Sequence, residues 1–90
     1  MFYVYIITNS ANKLYVGMAK DPDRRLREHN SRRGAKFTKY IPDFRVVFLE
    51  QYESSVLARK RETQIKKWRR DKKEILIRRY SRGLETKRAT

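Results

Sequence analysis

The chain has 90 residues and a mass of 11.0 kDa, which bounds it to one small domain around one core. Its 24 Lys plus Arg against 10 Asp plus Glu give a net charge of +14, and an aromatic share of 12% excludes a wholly disordered chain. With no cysteine, disulfides and Cys-based zinc sites are excluded, and no apolar run is long enough for a membrane span or signal segment.

Residues 2–8 are β-branched or aromatic throughout, which predicts a covered strand. Asn9, Ser10 and Asn12 then form a turn, and Leu14–Met18 reads as the return arm of a hairpin. Alternation puts Tyr3, Tyr5 and Ile7 on one face of the first strand, and Tyr15 with Gly17 on one face of the second. Asp21-Pro22-Asp23 is a helix start, with a carboxylate cap and proline at the first helical position; the helix is expected to reach Asn30. Residues 31–43 read as a long cationic loop carrying Arg32, Arg33, Lys36 and Lys39. Phe44–Glu50 is a third strand with a buried run from Val46 to Leu49. Ser54 or Ser55 caps a second helix reaching Trp68, with an apolar stripe through Leu57, Ala58, Ile65 and Trp68. Asp71 caps a third helix containing Ile75, Leu76, Ile77 and Tyr80. Beyond Gly83 the tail 84–90 has little to bury and is expected to be disordered, leaving residues 1–83 as one domain. The order β-β-α-β-α-α predicts an α+β domain with helices packed on a small sheet.

The charge is uneven: residues 57–90 hold 14 Lys or Arg against 4 acids, and residues 1–56 hold 10 against 6. An excess of this size points to a polyanion, most simply nucleic acid, with an anionic membrane surface as the weaker alternative. The default compartment is soluble and reducing, the cytoplasm. Charge by itself supports binding and is silent on catalysis.

Five residues carry chemistry once the elements are placed. Tyr5 and Tyr15 stand on the two arms of the hairpin, able to project from one face. Arg25 and His29, spaced i, i+4, share one side of the first helix. Glu62 lies less than a right angle from the apolar stripe of the second helix, where a carboxylate is half sheltered. A guanidinium can offset phosphoryl charge, a carboxylate can hold a hard cation, and a phenol or imidazole can handle the proton of an attacking water.

Tyr3-Val4-Tyr5, Tyr15-Val16-Gly17, the stretch 21–30 and the run 61–68 resemble, in order and spacing, the GIY-YIG nuclease superfamily. The nearest likeness is to its small stand-alone bacterial members, similar to the N-terminal nuclease domain of the excision-repair nuclease UvrC, and it covers roughly residues 2–80. The resemblance implies a three-stranded antiparallel sheet with flanking helices and metal-dependent cleavage of phosphodiesters in DNA. It further implies that Tyr5 and Tyr15 are the motif tyrosines, one of them deprotonating or orienting the water. By the same carry-over Arg25 faces the scissile phosphate, and Glu62 is the single protein ligand of Mg²⁺ or Mn²⁺. His29 falls where relatives place a His or Tyr. Tyr3 departs from the glycine that opens the first motif, and no Asn follows Asn30 where some relatives carry a functional one.

Each residue also has an ordinary role open to it. The tyrosines can be strand aromatics, His29 a helix-end residue meeting the dipole, and Glu62 a helix partner for Lys66. Taken together those roles describe a catalytically silent nucleic-acid-binding module, for DNA or RNA, and that alternative stays open. Expected phosphate contacts are Arg24, Arg27, Arg32, Arg33, Lys36, Lys39, Lys66, Lys67, Arg69 and Arg70, on a monomer that any targeting protein would have to direct.

Overall fold

In the computed structural model, which describes residues 1–31 and 43–88, three strands and three helices follow in the expected order. They are β1 (Phe2–Thr8), β2 (Leu14–Ala19), α1 (Pro22–Asn30), β3 (Arg45–Tyr52), α2 (Ser55–Lys66) and α3 (Arg70–Ser81). The most uniformly apolar strand, β1, takes the centre of an antiparallel sheet ordered β2-β1-β3. The hairpin turn closes through Asn12 N–H on the Asn9 carbonyl at 2.9 Å, and Asn12 itself takes φ 62°, a conformation Asn tolerates.

Alternation along β1 feeds two apolar clusters, one on each face of the single sheet. Val4 and Ile6 point to one face, where Phe48 of β3, Ala58 and Ile65 of α2 and Leu76 of α3 close the larger cluster. Tyr5 and Ile7 point to the other, packed with Phe44, Tyr15 and Leu26 of α1. A bulge opposite Ile6 and Ile7 lets Val47 and Phe48, adjacent in sequence, both serve the larger cluster. The run 46–49 is therefore not uniformly buried: among its four residues Phe48 alone is fully enclosed.

Two caps follow the expected chemistry. The Asp21 side chain accepts from Arg24 N–H at 3.1 Å at the start of α1, and Ser54 accepts from Val56 and Leu57 N–H at 3.1 and 3.4 Å at the start of α2. The third does not: α3 begins at Arg70, so Asp71 lies inside its first turn rather than capping it. Helix α2 stops at Lys66, with Trp68 beyond its end and packed beside the core, and β3 runs from Arg45 to Tyr52 rather than from Phe44 to Glu50. Leu57, placed in the apolar stripe by its spacing, is 53% exposed; Arg61 takes the buried side of α2 instead.

At the end of α3, Gly83 adopts φ 70° while Leu84 N–H reaches the Arg79 carbonyl at 2.9 Å and Gly83 N–H the Tyr80 carbonyl at 3.0 Å. This reversal, which glycine makes without a Cβ penalty, sends the chain back toward β3. The tail expected to be disordered from Leu84 onward instead has Thr86 buried, with Lys87 donating to the Gln51 carbonyl of β3. Among the described residues no helix is long and apolar enough to cross a membrane.

Candidate active site

The hairpin register pairs Tyr5 with Gly17 and Ile7 with Tyr15, so both tyrosines project from the face that α1 covers. The Tyr5 ring lies directly over Gly17. A Cβ there would stand 2.5 Å from the Tyr5 Cζ, so any side chain at 17 would evict the ring. Tyr5 is 4% exposed, and its hydroxyl is the principal influence on the Arg25 guanidinium of α1. Hydrogen bonding to that hydroxyl, then charge interaction with it, raises the Arg25 pKa above its ordinary value; Glu28, whose Oε1 accepts from Arg25 Nη1 at 2.9 Å, adds to it. Half of the Arg25 side chain still faces solvent, so the guanidinium is both oriented and reachable.

One turn further along α1, His29 meets Tyr15 and Phe44. Ring centroids stand 5.5 Å apart for Tyr15–His29, 5.6 Å for Tyr15–Phe44 and 5.9 Å for His29–Phe44. Burial lowers the His29 pKa first and the Arg25 charge lowers it further, against a weaker pull from Glu28, so the imidazole is neutral at neutral pH. Phe44 is held by the Asn30 side chain, which accepts from its N–H at 2.7 Å and donates to its carbonyl at 3.0 Å. Asn30 thus imitates a strand neighbour and locks the far wall of the aromatic group.

Tyr5, Arg25, Tyr15 and His29 are therefore brought together on one sheet face. Glu62 stands on α2, which packs against the other face. Its side chain is 13% exposed, and Lys66 Nζ lies 3.1 Å from its Oε2. The edge strand β2 is touched by both α1 and α2. No group of three or more His, Asp or Glu gathers as a metal site among the described residues. A lone sheltered carboxylate fits Mg²⁺ or Mn²⁺ of the kind that keeps most of its water ligands, and does not fit an all-protein cage.

Of the ten expected phosphate contacts, Arg24, Arg27, Lys66, Lys67, Arg69 and Arg70 are exposed. Arg32, Arg33, Lys36 and Lys39 lie outside the described residues. Arg24 pairs with Glu28 at 3.5 Å and Arg70 with Glu74 at 3.0 Å, exposed pairs of little net strength that a phosphate can outcompete.

Sequence reasoning missed three supporting residues. Asn30 reads as a helix stop, and nothing local announces its strand-like bond to Phe44. Glu50 and Arg61 were not singled out, yet they are 4% and 6% exposed and form a forked ion pair, Nε to Oε1 at 2.9 Å and Nη2 to Oε2 at 3.1 Å. The available signal was period two: Glu50 shares the inner face of β3 with Phe48 and Tyr52. The Tyr52 hydroxyl donates to Glu50 Oε1 at 2.8 Å, and burial, then that bond, push its pKa up.

A two-tyrosine hairpin, an arginine helix over it and a three-stranded antiparallel sheet define a GIY-YIG-type domain. The profile of the GIY-YIG catalytic domain matches residues 1–75, and the chain belongs to that family. Among curated relatives, the UPF0213 proteins of Staphylococcus aureus strains Mu50 and N315 are each 44% identical over 75 residues, spanning 83% of this chain and 92% of theirs. The solution NMR structure of the UPF0213 protein BH0048 from Bacillus halodurans superposes with a TM-score of 0.56 at 37% identity, covering 86% of this chain and 83% of that one.

Proposed function

We propose that this protein is a metal-dependent endonuclease that hydrolyses phosphodiester bonds in DNA, with the substrate lying along the β2 edge. The observation that carries this reading is the gathering on one sheet face of the Tyr5 ring over Gly17, the half-exposed Arg25 paired to Glu28 and the partly buried Tyr15–His29 pair. It couples a preset cation to a phenol and a neutral imidazole within one aromatic pocket. Arg25, half exposed and held by Glu28, stabilises charge growing on the phosphoryl oxygens. The neutral His29 and the tyrosine hydroxyls can accept or orient the proton of an attacking water. Glu62 would hold Mg²⁺ or Mn²⁺, which when bound supplies Lewis-acid stabilisation of the phosphoryl group.

A second reading has an observation of its own. The Glu62–Lys66 contact is an ordinary i, i+4 helix pair, which is what a silent binding module retaining the fold would keep. One experiment separates the two. Plasmid, branched and single-stranded DNA are incubated with the protein and its Glu62→Ala variant, with Mg²⁺ or with chelator. Cleavage that needs Mg²⁺ and is abolished in the variant, with DNA affinity retained, is the expected outcome. Parental turnover in Glu62→Ala removes the metal assignment, and no cleavage by the parent on any substrate favours the binding module.

A further inference from the structure

Among the described residues one cation is buried, Arg61 at 6% exposure, and it immediately precedes Glu62. Consecutive residues on a helix point about 100° apart, so the two side chains leave α2 on different flanks. Ala58 and Ile65 mark the underside of the helix. Arg61 leaves toward β3, where Glu50 takes its Nε and Nη2, while Glu62 leaves on the other flank beside Lys66. Two further bonds complete the fork: Nη1 to Gln64 Oε1 at 2.8 Å, and Nη2 to the Thr86 carbonyl at 2.8 Å. The Trp68 ring lies 5.3 Å from the guanidinium carbon.

The segment around Thr86 is itself held from several directions. Arg79 Nε donates to the Glu85 carbonyl at 2.8 Å, and Lys87 reaches the Gln51 carbonyl while standing 4.3 Å over the Tyr52 ring. A planar fork bound to a strand, to its own helix and to a returning segment fixes the rotation of α2 about its axis. Rotation matters here because a side chain some 5–6 Å from the axis moves about 1 Å for every 10° turned. A displacement of that size at a reacting centre can cost roughly 100-fold in rate.

We propose that Arg61, clamped by Glu50 and by the C-terminal segment 84–88, is the positioning residue that aims Glu62, making that segment a working part of the site. This rests on the role given to Glu62 above. The segment then acts as a strap: what it fixes is the angle of one carboxylate, through a guanidinium that never meets the substrate.

Full-length Arg61→Lys, Glu50→Gln and Gly83→Val chains test it, with Glu62→Ala as reference. Arg61→Lys keeps the charge and loses the fork. Gly83→Val breaks the turn that returns the strap, since no side chain crowds Gly83 and only its φ of 70° is at stake. Circular dichroism establishes which variants are folded. Single-turnover rates at saturating DNA are measured beside dissociation constants, and Mn²⁺ alone is titrated while paramagnetic broadening of the Glu62 amide is followed by NMR. Folded variants are expected to bind DNA within about twofold of the parent, to cleave about 10- to 100-fold more slowly, and to need several-fold more Mn²⁺ for equal broadening. Parental rate and parental broadening in the folded variants, with Glu62→Ala inactive, overturn the positioning role and leave the functional reading intact. Glu62→Ala cleaving at the parental rate overturns both.

Discussion

Burial and the Arg25 charge both disfavour the imidazolium form of His29, so on acidification the unfolded chain takes up this proton before the folded one. Stability from this group is complete above the ordinary histidine value of 6.5 and is lost as pH falls below it toward the lowered folded value. Melting temperatures recorded across that range are expected to fall with acidity in the parent and to fall less in His29→Gln. Identical slopes would mean the ring is not held neutral by the fold. Arg25 makes the complementary case for catalysis. Removing a preorganised charge of this kind typically costs on the order of 100- to 1000-fold in rate. Arg25→Ala is accordingly expected to slow single turnover at saturating DNA, whereas Arg27→Ala, also exposed on α1, is expected to raise the dissociation constant. If both substitutions only weaken binding, Arg25 is a phosphate clamp.

Elements were legible where their signals are local. The strand-forming run 2–8, the Asp21-Pro22 start and the Ser54 cap each act within a few residues, and each is where the sequence puts it. Ser54→Ala should lower unfolding free energy by about 1 kcal/mol, because two N–H groups at the start of α2 lose their partner. Chemical denaturation reads this directly, and an unchanged midpoint would mean water replaces the serine at no cost. The misread residues depend on partners far along the chain. Leu57 and Arg61 compete for the underside of α2, and hydropathy favours leucine. The structure buries the arginine because Glu50, eleven residues away, neutralises it. The segment after Gly83 has little apolar surface, so composition offers no reason for order; its anchors are backbone carbonyls, which carry no sequence signature. The shared face of Tyr5 and Tyr15 was legible for the same reason the hairpin was, because it follows from strand register, as the common side of Arg25 and His29 follows from an i, i+4 spacing.

At the scale of the whole molecule, charge and architecture are out of step. Segment 55–82 carries twelve Lys or Arg against three acids, on helices packed behind the sheet. The Arg25 cluster lies on the other face, over a less basic segment. Nucleic acid reaching both would have to pass around the β2 edge, touching backbone phosphates with no element among the described residues shaped to enter a groove and read bases. Binding is expected to be largely independent of sequence. With about 4–6 phosphates neutralised, log K plotted against log salt should slope at roughly −4 to −5. Neutralising Lys66, Lys67, Arg69 and Arg70 together should make that slope shallower by several units. A salt-independent affinity, or a strong preference for one short sequence, would show that the basic surface is not a phosphate track.

Tyr5 and Gly17 belong to different tripeptides, yet they occupy one volume. In descent they are expected to behave as a single character. A lineage that keeps the ring at position 5 has no freedom at 17, whereas one that loses the ring releases 17 to carry any side chain. Diverging copies should therefore shed the tyrosine first and the glycine after it. A relative with tyrosine at 5 and a branched residue at 17 would be reporting a shifted hairpin register rather than neutral drift.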